Sequence, residues 1–248
     1  MIITHDIPSL LLAAARNNAE WCDAVCRAHG LTGTFTADAW SSARRTPPLY
    51  PDAVTLTRGG TPEAALAAGI DTRSPGCTVK DSFAALDLGP EGFEVLFEAQ
   101  WIHRPAGAAP VTAGPSPQWS PVAGAGELAE WEAAWGGGEE AAGLFRPSLL
   151  TAETLFLTGR VEGRIAAGAV AHRSGSVVGV SNLFAHDDAP VGAVWAGVLT
   201  AVAARWPGLP VVGYESGDDL DAALRAGFTT LGPLRIWIRT GGDASAGR

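Results

Sequence analysis

Lysine is nearly absent from this chain: Lys80 stands alone among 17 basic residues. With Ala and Gly so abundant, that scarcity reads as the mark of a GC-rich coding sequence and assigns Lys80 no chemistry. Cysteine is scarce too, and its three copies are an odd number. That excludes a disulfide framework and suits a reducing compartment. Long hydrophobic runs are missing, since no uncharged apolar stretch reaches the roughly 18 residues of a membrane span. The apolar stretch within residues 1–16 has no basic region ahead of it, so it does not read as a secretion signal. Positive charge is in deficit: 26 acidic residues against 17 basic ones leave a net charge of −9. That balance argues against nucleic acid or an anionic membrane as the main partner. The expectation is a soluble, cytoplasmic protein, and an amine-bearing small molecule suits its acidity.

What is present is core material. Hydrophobic residues make up 47% of 248 positions, enough for one large domain or two small ones. The run RPAGAAPVTAGPSPQWSP, residues 104–121, is too rich in Pro and Gly for a helix or a central strand. It reads as a linker between an N-terminal half, 1–103, and a C-terminal half, 122–240, with a frayed tail at 241–248.

Helical periodicity runs from Ser9 to His29, with Leu11, Ala14, Ala15, Cys22, Val25 and Cys26 near one face and Gly30 as the stop. A short helix is expected at 36–44, a strand at 53–58, and a helix at 61–69 capped by Thr61. Alternation at 77–88 and 93–102 predicts a β-hairpin. The second half reads as a helix at 125–135 and three antiparallel strands at 153–160, 164–173 and 176–185. An apolar helix at 191–206, a strand at 209–216, a helix at 218–228 and a strand at 235–240 follow.

That order of elements, with SNLFA closing a strand before the long helix and DDLDAALRAGF near the end, resembles the GNAT acyltransferase superfamily. The resemblance covers roughly 122–240. It implies an α/β fold, a mixed and mostly antiparallel sheet flanked by helices. The N-terminal half is a candidate degenerate second GNAT-like copy in tandem. It further implies acyl transfer from acetyl-CoA or another acyl-CoA to an amine of a small molecule. Asn182 and the backbone of Leu183, Phe184 and Ala185 would position the thioester. Gly192, Ala193 and Val194 would hold the pyrophosphate, because small residues let helix N–H groups approach it. His186 or Glu215 would act as base, and Tyr214 would substitute as proton donor.

The sequence departs from the superfamily's pattern at named places. The pyrophosphate motif falls on residues 189–194 and only Gly192 matches; Ala189 takes the Arg or Gln position. Asp187 and Asp188 precede it, where they would oppose an anion, and Leu224 occupies a position many members give to Tyr. These departures motivate an alternative: a GNAT-like scaffold without CoA binding. It would bind a small ligand or a partner, or run another reaction in an inter-domain cleft.

Other clusters have plainer readings. Asn18, Cys22, Cys26 and His29 share a helix face, but the spacing matches no zinc pattern, so core thiols and no metal site are expected. Asn17 or Asn18 is expected to bond across to a loop or ligand, since asparagine is a poor helix-interior residue. His29, His103 and His172 are further candidate bases. Ser216 or Asp218 should cap the helix that follows. Trp119, Trp131 and Trp135 would line a cleft, dock the two halves or form a homodimer surface.

Overall fold

The computed structural model describes residues 6–60, 62–73, 75–111, 116–136, 138–186 and 188–240. Thr61, Asp187 and the 241–248 tail lie outside the described residues.

Helix α1 (Ile7–Ala28) opens on Pro8, whose missing N–H is no loss in a first turn, and stops before Gly30 at φ 71°. Its buried face contains the stripe read from the sequence and adds Leu10, Asn17, Ala19, Trp21 and Asp23. The segment expected as a helix at 36–44 is instead a hairpin of β1 (Thr34–Phe35) and β2 (Ala39–Ser41). Thr36 decides this: its Oγ1 accepts the N–H groups of Asp38 and Ala39 at 3.2 and 3.0 Å. That side-chain bonding offers the backbone a turn in place of a helix. β3 (Ala53–Thr55), α2 (Glu63–Ala68), β4 (Cys77–Asp81) and β5 (Glu94–Arg104) complete the first half.

The second half contains β6 (Gln118–Pro121), α3 (Ala125–Trp135), β7 (Thr154–Val161), β8 (Arg164–Ser174) and β9 (Val177–Ala185). α4 (Val191–Arg205), β10 (Val211–Glu215), α5 (Gly217–Arg225) and β11 (Thr229–Arg239) follow. β6 falls within the Pro- and Gly-rich run and forms a sheet edge, paired with β7 alone. The expected antiparallel β7–β8–β9 run is present.

The eleven strands among the described residues form one sheet, in the order β1-β2-β3-β4-β11-β5-β10-β9-β8-β7-β6. The two segments expected as a hairpin, β4 and β5, are not neighbours, because β11 lies between them and pairs antiparallel with both. Two pairs are parallel: β3 with β4 across α2, and β9 with β10 across α4. β5 follows β4 in the chain but pairs with β10, while β11 follows β10 and α5 but pairs with β4. Each half thus lends its last strand to the other. Local alternation favours the nearest partner, so an exchange across the whole chain leaves no local sign.

β8 shows how the layers sort. Val170 packs with Trp21 and Val25 of α1 and Trp131 of α3. Its neighbours Ala169 and Ala171 pack with Val194 and Val198 of α4 and Ala223 of α5. The strand's alternation therefore places α1 and α3 on one face and α4 and α5 on the other. Trp131 is fully buried, edge-on to Phe145, Phe156 and Phe184, and its Nε1 donates to Leu157 O at 2.8 Å. Trp119 lies so close over Gly197 that a Cβ there would sit 1.9 Å from Nε1. Trp131 is spent on packing within the chain, whereas Trp119 is half-buried and also lines a surface cavity of about 450 Å³. No helix among the described residues is long and apolar enough to cross a membrane.

Candidate functional site

The two parallel strands in the second half part company almost at once. β9 and β10 pair only at Val178 with Val211 and Gly179 with Val212. Beyond that the β10-facing edge of β9 has no strand partner among the described residues. A bulge sits at the parting: Ser181 opposes Val170 and Phe184 opposes Gly168, so Asn182 and Leu183 together face Ala169. Asn182 adopts φ 51°, a left-handed conformation that asparagine tolerates better than most residues. Bulges of this kind bend a strand and end its pairing, often beside active sites. Phe184 is anchored against bare backbone, since a Cβ at Gly168 would meet its ring at 2.4 Å.

At the end of β9, α4 begins without a side-chain cap among the described residues. The N–H groups of Ala193 and Val194 both donate to Pro190 O, at 2.8 and 3.1 Å. Their side chains are buried in the core. The first-turn N–H groups left over are those of Val191 and Gly192, and no described residue stands within 4 Å of where a Gly192 Cβ would be. Ala189 is buried with the α4 core. Asp188 forms an exposed 3.3 Å ion pair with Arg164, which offsets part of the negative charge read from the sequence. Asp187 is outside the described residues.

The candidate acid–base residues are not gathered in one place. Tyr214 and Glu215 are adjacent on β10 and so point to opposite faces. Tyr214 lies under α1, edge-on to Trp101 at 5.6 Å. Glu215 lies on the other face, near Asp219 of α5. Burial, with a smaller contribution from Asp219, pushes its carboxyl from 4.5 up to about 8. His186 is exposed, with Nε2 3.0 Å from Ala134 O and its ring against Phe184. A carbonyl can only accept, so Nε2 is the donor in this contact and Nδ1 is the ring nitrogen left for a base. Ser216 makes no side-chain cap, and α5 instead begins with Asp218 and Asp219 in its first turn. Leu224 is 40% exposed on α5.

On the α1 face the fork is nearly closed. The cavity between Asn17, Trp21, His172, Ser181, Gly213 and Tyr214 holds about 10 Å³, room for roughly one water. Asn17 fills it: Nδ2 donates to His172 O at 2.9 Å and to Ser174 Oγ at 3.0 Å. Its Oδ1 leaves no room for a Cβ at Gly179. The expected long-range asparagine bond is therefore present, and Asn18 makes one too, accepting from Lys80 Nζ at 2.7 Å.

The thiols are core residues. Burial pushes Cys22 up to about 11 and Cys26 up to about 12, which suppresses the thiolate a metal or an electrophile would need. His29 Nε2 is tied to Leu144 O at 2.8 Å. Among the described residues no three His, Cys, Asp or Glu side chains are grouped to hold a metal ion. His172 is held by Thr154 Oγ1 at 3.0 Å from Nδ1, and burial lowers its pKa.

No family model matches the chain, and no curated protein matches it in sequence. Solved structures do match. A GCN5-related N-acetyltransferase from Kribbella flavida aligns with a TM-score of 0.66 over 94% of this chain and 97% of its own, at 17% identity. A functionally unknown conserved protein from Staphylococcus epidermidis aligns at 0.63, over 84% and 93% of the two chains, at 9% identity. A GCN5-related N-acetyltransferase-like protein from Streptococcus suis aligns at 0.53, over 94% and 100%, at 12% identity. The fold is that of the GNAT acyltransferases, and the likeness spans nearly the whole chain, beyond the half that the sequence pattern covered.

Proposed function

We propose that the chain transfers an acyl group from a CoA thioester, acetyl-CoA or another, to an amine of a small molecule. The observation that carries this reading is the Asn182 bulge, placed where β9 leaves β10 and next to the uncapped first turn of α4. The residues present suit a CoA ligand. The unpaired edge of Leu183–Ala185 fits an amide-bearing arm, and the first-turn N–H groups of Val191 and Gly192 fit a pyrophosphate, whereas those of Ala193 and Val194, expected to join them, are taken by Pro190 O. Bound there, CoA would supply an activated acyl carbonyl.

The chain's own part is to orient and to move a proton. Asn182 holds the bulge and with it the exposed strand edge. Glu215 takes the amine proton, since a carboxyl near 8 is a stronger base than an ordinary one. His186 Nδ1, beyond the end of β9, is the second candidate base. Tyr214 points to the opposite face of β10 from Glu215, under α1, so it does not share that base's side of the sheet. The test is calorimetric titration with acetyl-CoA and with CoA. Saturable heat is expected, and no heat at millimolar ligand overturns the reading.

The second reading is a scaffold that binds a small ligand without CoA. The nearly filled α1 face of the fork and Leu224 favour it. CoA carried through purification and seen by mass spectrometry would exclude it. A homodimer remains a proposal to be tested by solution mass.

A further inference from the structure

The chain has one lysine and two tyrosines, and all three line a single cavity of about 500 Å³ between β4, β11 and β5 and the 46–51 loop. Its other walls are apolar, chiefly Pro47, Leu49, Leu96, Phe97, Ile236 and Ile238. A volume and lining of this kind are typical of small-molecule sites, where a few polar groups set orientation. The mouth is unusually greasy. Leu49, Leu96 and Phe97 are 70%, 51% and 41% exposed, although large exposed side chains of this type cost solubility. Two backbone devices hold them there. Leu49 adopts φ 69°, a strained conformation for a leucine. β5 carries a bulge at Leu96, with Ile236 opposite Phe97 but Trp237 opposite Val95, and both Leu96 and Phe97 line the cavity.

Lys80 supplies the charge. It is 3% exposed, donates to Asn18 Oδ1 at 2.7 Å and lies over the Tyr214 ring at 4.2 Å. Among the described residues no carboxylate lies within ion-pair distance of it. Nearby Cys22 offers no counter-charge, because burial keeps its thiol protonated. Arg45 at the rim is already engaged by Asp52 and Gly76 O. A buried cation is costly without a partner, and in a chain of net charge −9 a carboxylate could readily have been placed beside it. The Tyr50 hydroxyl is also buried and lacks a hydrogen-bond partner among the described residues, a polar group left unsatisfied beside a cation without a counter-charge.

We propose that this cavity binds an apolar monocarboxylate, with the carboxylate on Lys80 and the hydrocarbon body against Leu49, Leu96, Phe97 and Ile236. The site does not depend on the acyl-transfer reading, and the two fail separately because binding is measured on the full chain without CoA. Octanoate, octylamine and octan-1-ol are titrated calorimetrically as matched probes. Octanoate is expected to saturate and to bind at least about tenfold tighter than the other two. Lys80→Met should abolish that preference while leaving octan-1-ol binding unchanged. Should Lys80→Met fail to fold, Leu96→Asp, at an exposed position, brings a carboxylate to the mouth and should weaken octanoate more than octan-1-ol. Equal binding of the three probes, no saturable binding of octanoate at millimolar concentration, or octanoate binding untouched by these substitutions overturns the proposal.

Discussion

Lys80 Nζ stands 4.2 Å from the centre of the Tyr214 ring, so a residue of the first half's β4 meets one of the second half's β10 across the two exchanged strands. The contact is electrostatic, a cation against the negative face of an aromatic ring. It offers less than the two-oxygen grip of a carboxylate. Residues retained for binding often cost stability, and a buried charge replaced by an apolar side chain of similar size is often neutral or stabilising. Lys80→Met should therefore leave the melting temperature equal or higher. A fall of more than about 2 kcal/mol in denaturant unfolding would make Lys80 a structural residue instead.

Glu215 should make stability depend on pH in an uncommon direction for a carboxylate. Its carboxyl is raised from 4.5 to about 8 in the folded chain, so the folded state holds a proton that the unfolded state releases. The stability this group contributes is complete below about 4.5 and is lost as pH rises through 8. Denaturant unfolding at pH 5, 6.5 and 8 should show the wild type falling relative to Glu215→Gln. Parallel curves would place the carboxyl in an ordinary environment. In an acyl-transfer assay Glu215→Gln should lower kcat roughly 100-fold or more, and wild-type rate should climb towards pH 8.

Much of the second half was legible because its signals are local. A long apolar run ended by Pro207–Gly208 marked α4, turns separated β7, β8 and β9, and the strand–helix junction after Ala185 marked the candidate site. The Asn182 bulge was not legible, since the inversion of alternation that an extra residue causes cannot be seen in the three strand residues, Leu183 to Ala185, that follow it. Nor was the exchange of β5 and β11, which depends on contacts between distant parts of the chain. Lys80 shows the limit most clearly. A lone lysine in an alternating strand carries no local signal, and only the sheet order brings it to Tyr50 and Tyr214. The scarcity of lysine and tyrosine was the one available hint.

Gly179 and Asn17 should behave as a coupled pair. An alanine Cβ at 179 would fall 1.9 Å from Asn17 Oδ1, and Asn17 is pinned by its bonds to His172 O and Ser174 Oγ. Gly179→Ala is expected to cost about 2–4 kcal/mol through overpacking. Asn17→Ala alone should cost about 1–3 kcal/mol, for the lost bonds. Together they should cost less than the sum, because truncating Asn17 removes the clash. Additive losses in urea unfolding would mean that the two sites do not press on one another.

Gly192 separates a helix effect from a ligand effect. No described residue stands within 4 Å of its missing Cβ, and Val191 and Gly192 are the first-turn positions whose N–H groups Pro190 does not take. For the protein alone, Gly192→Ala should stabilise α4 by roughly 0.5 kcal/mol, since alanine loses less backbone entropy than glycine in a helix. For a pyrophosphate lying against that bare backbone, the same methyl group is an obstruction, and acetyl-CoA affinity should fall about tenfold. Thermal unfolding and calorimetry on one variant thus read opposite signs. A more stable protein with unchanged acetyl-CoA affinity would remove this helix turn from the cofactor site, whereas loss of both would mean that Gly192 is needed for the fold.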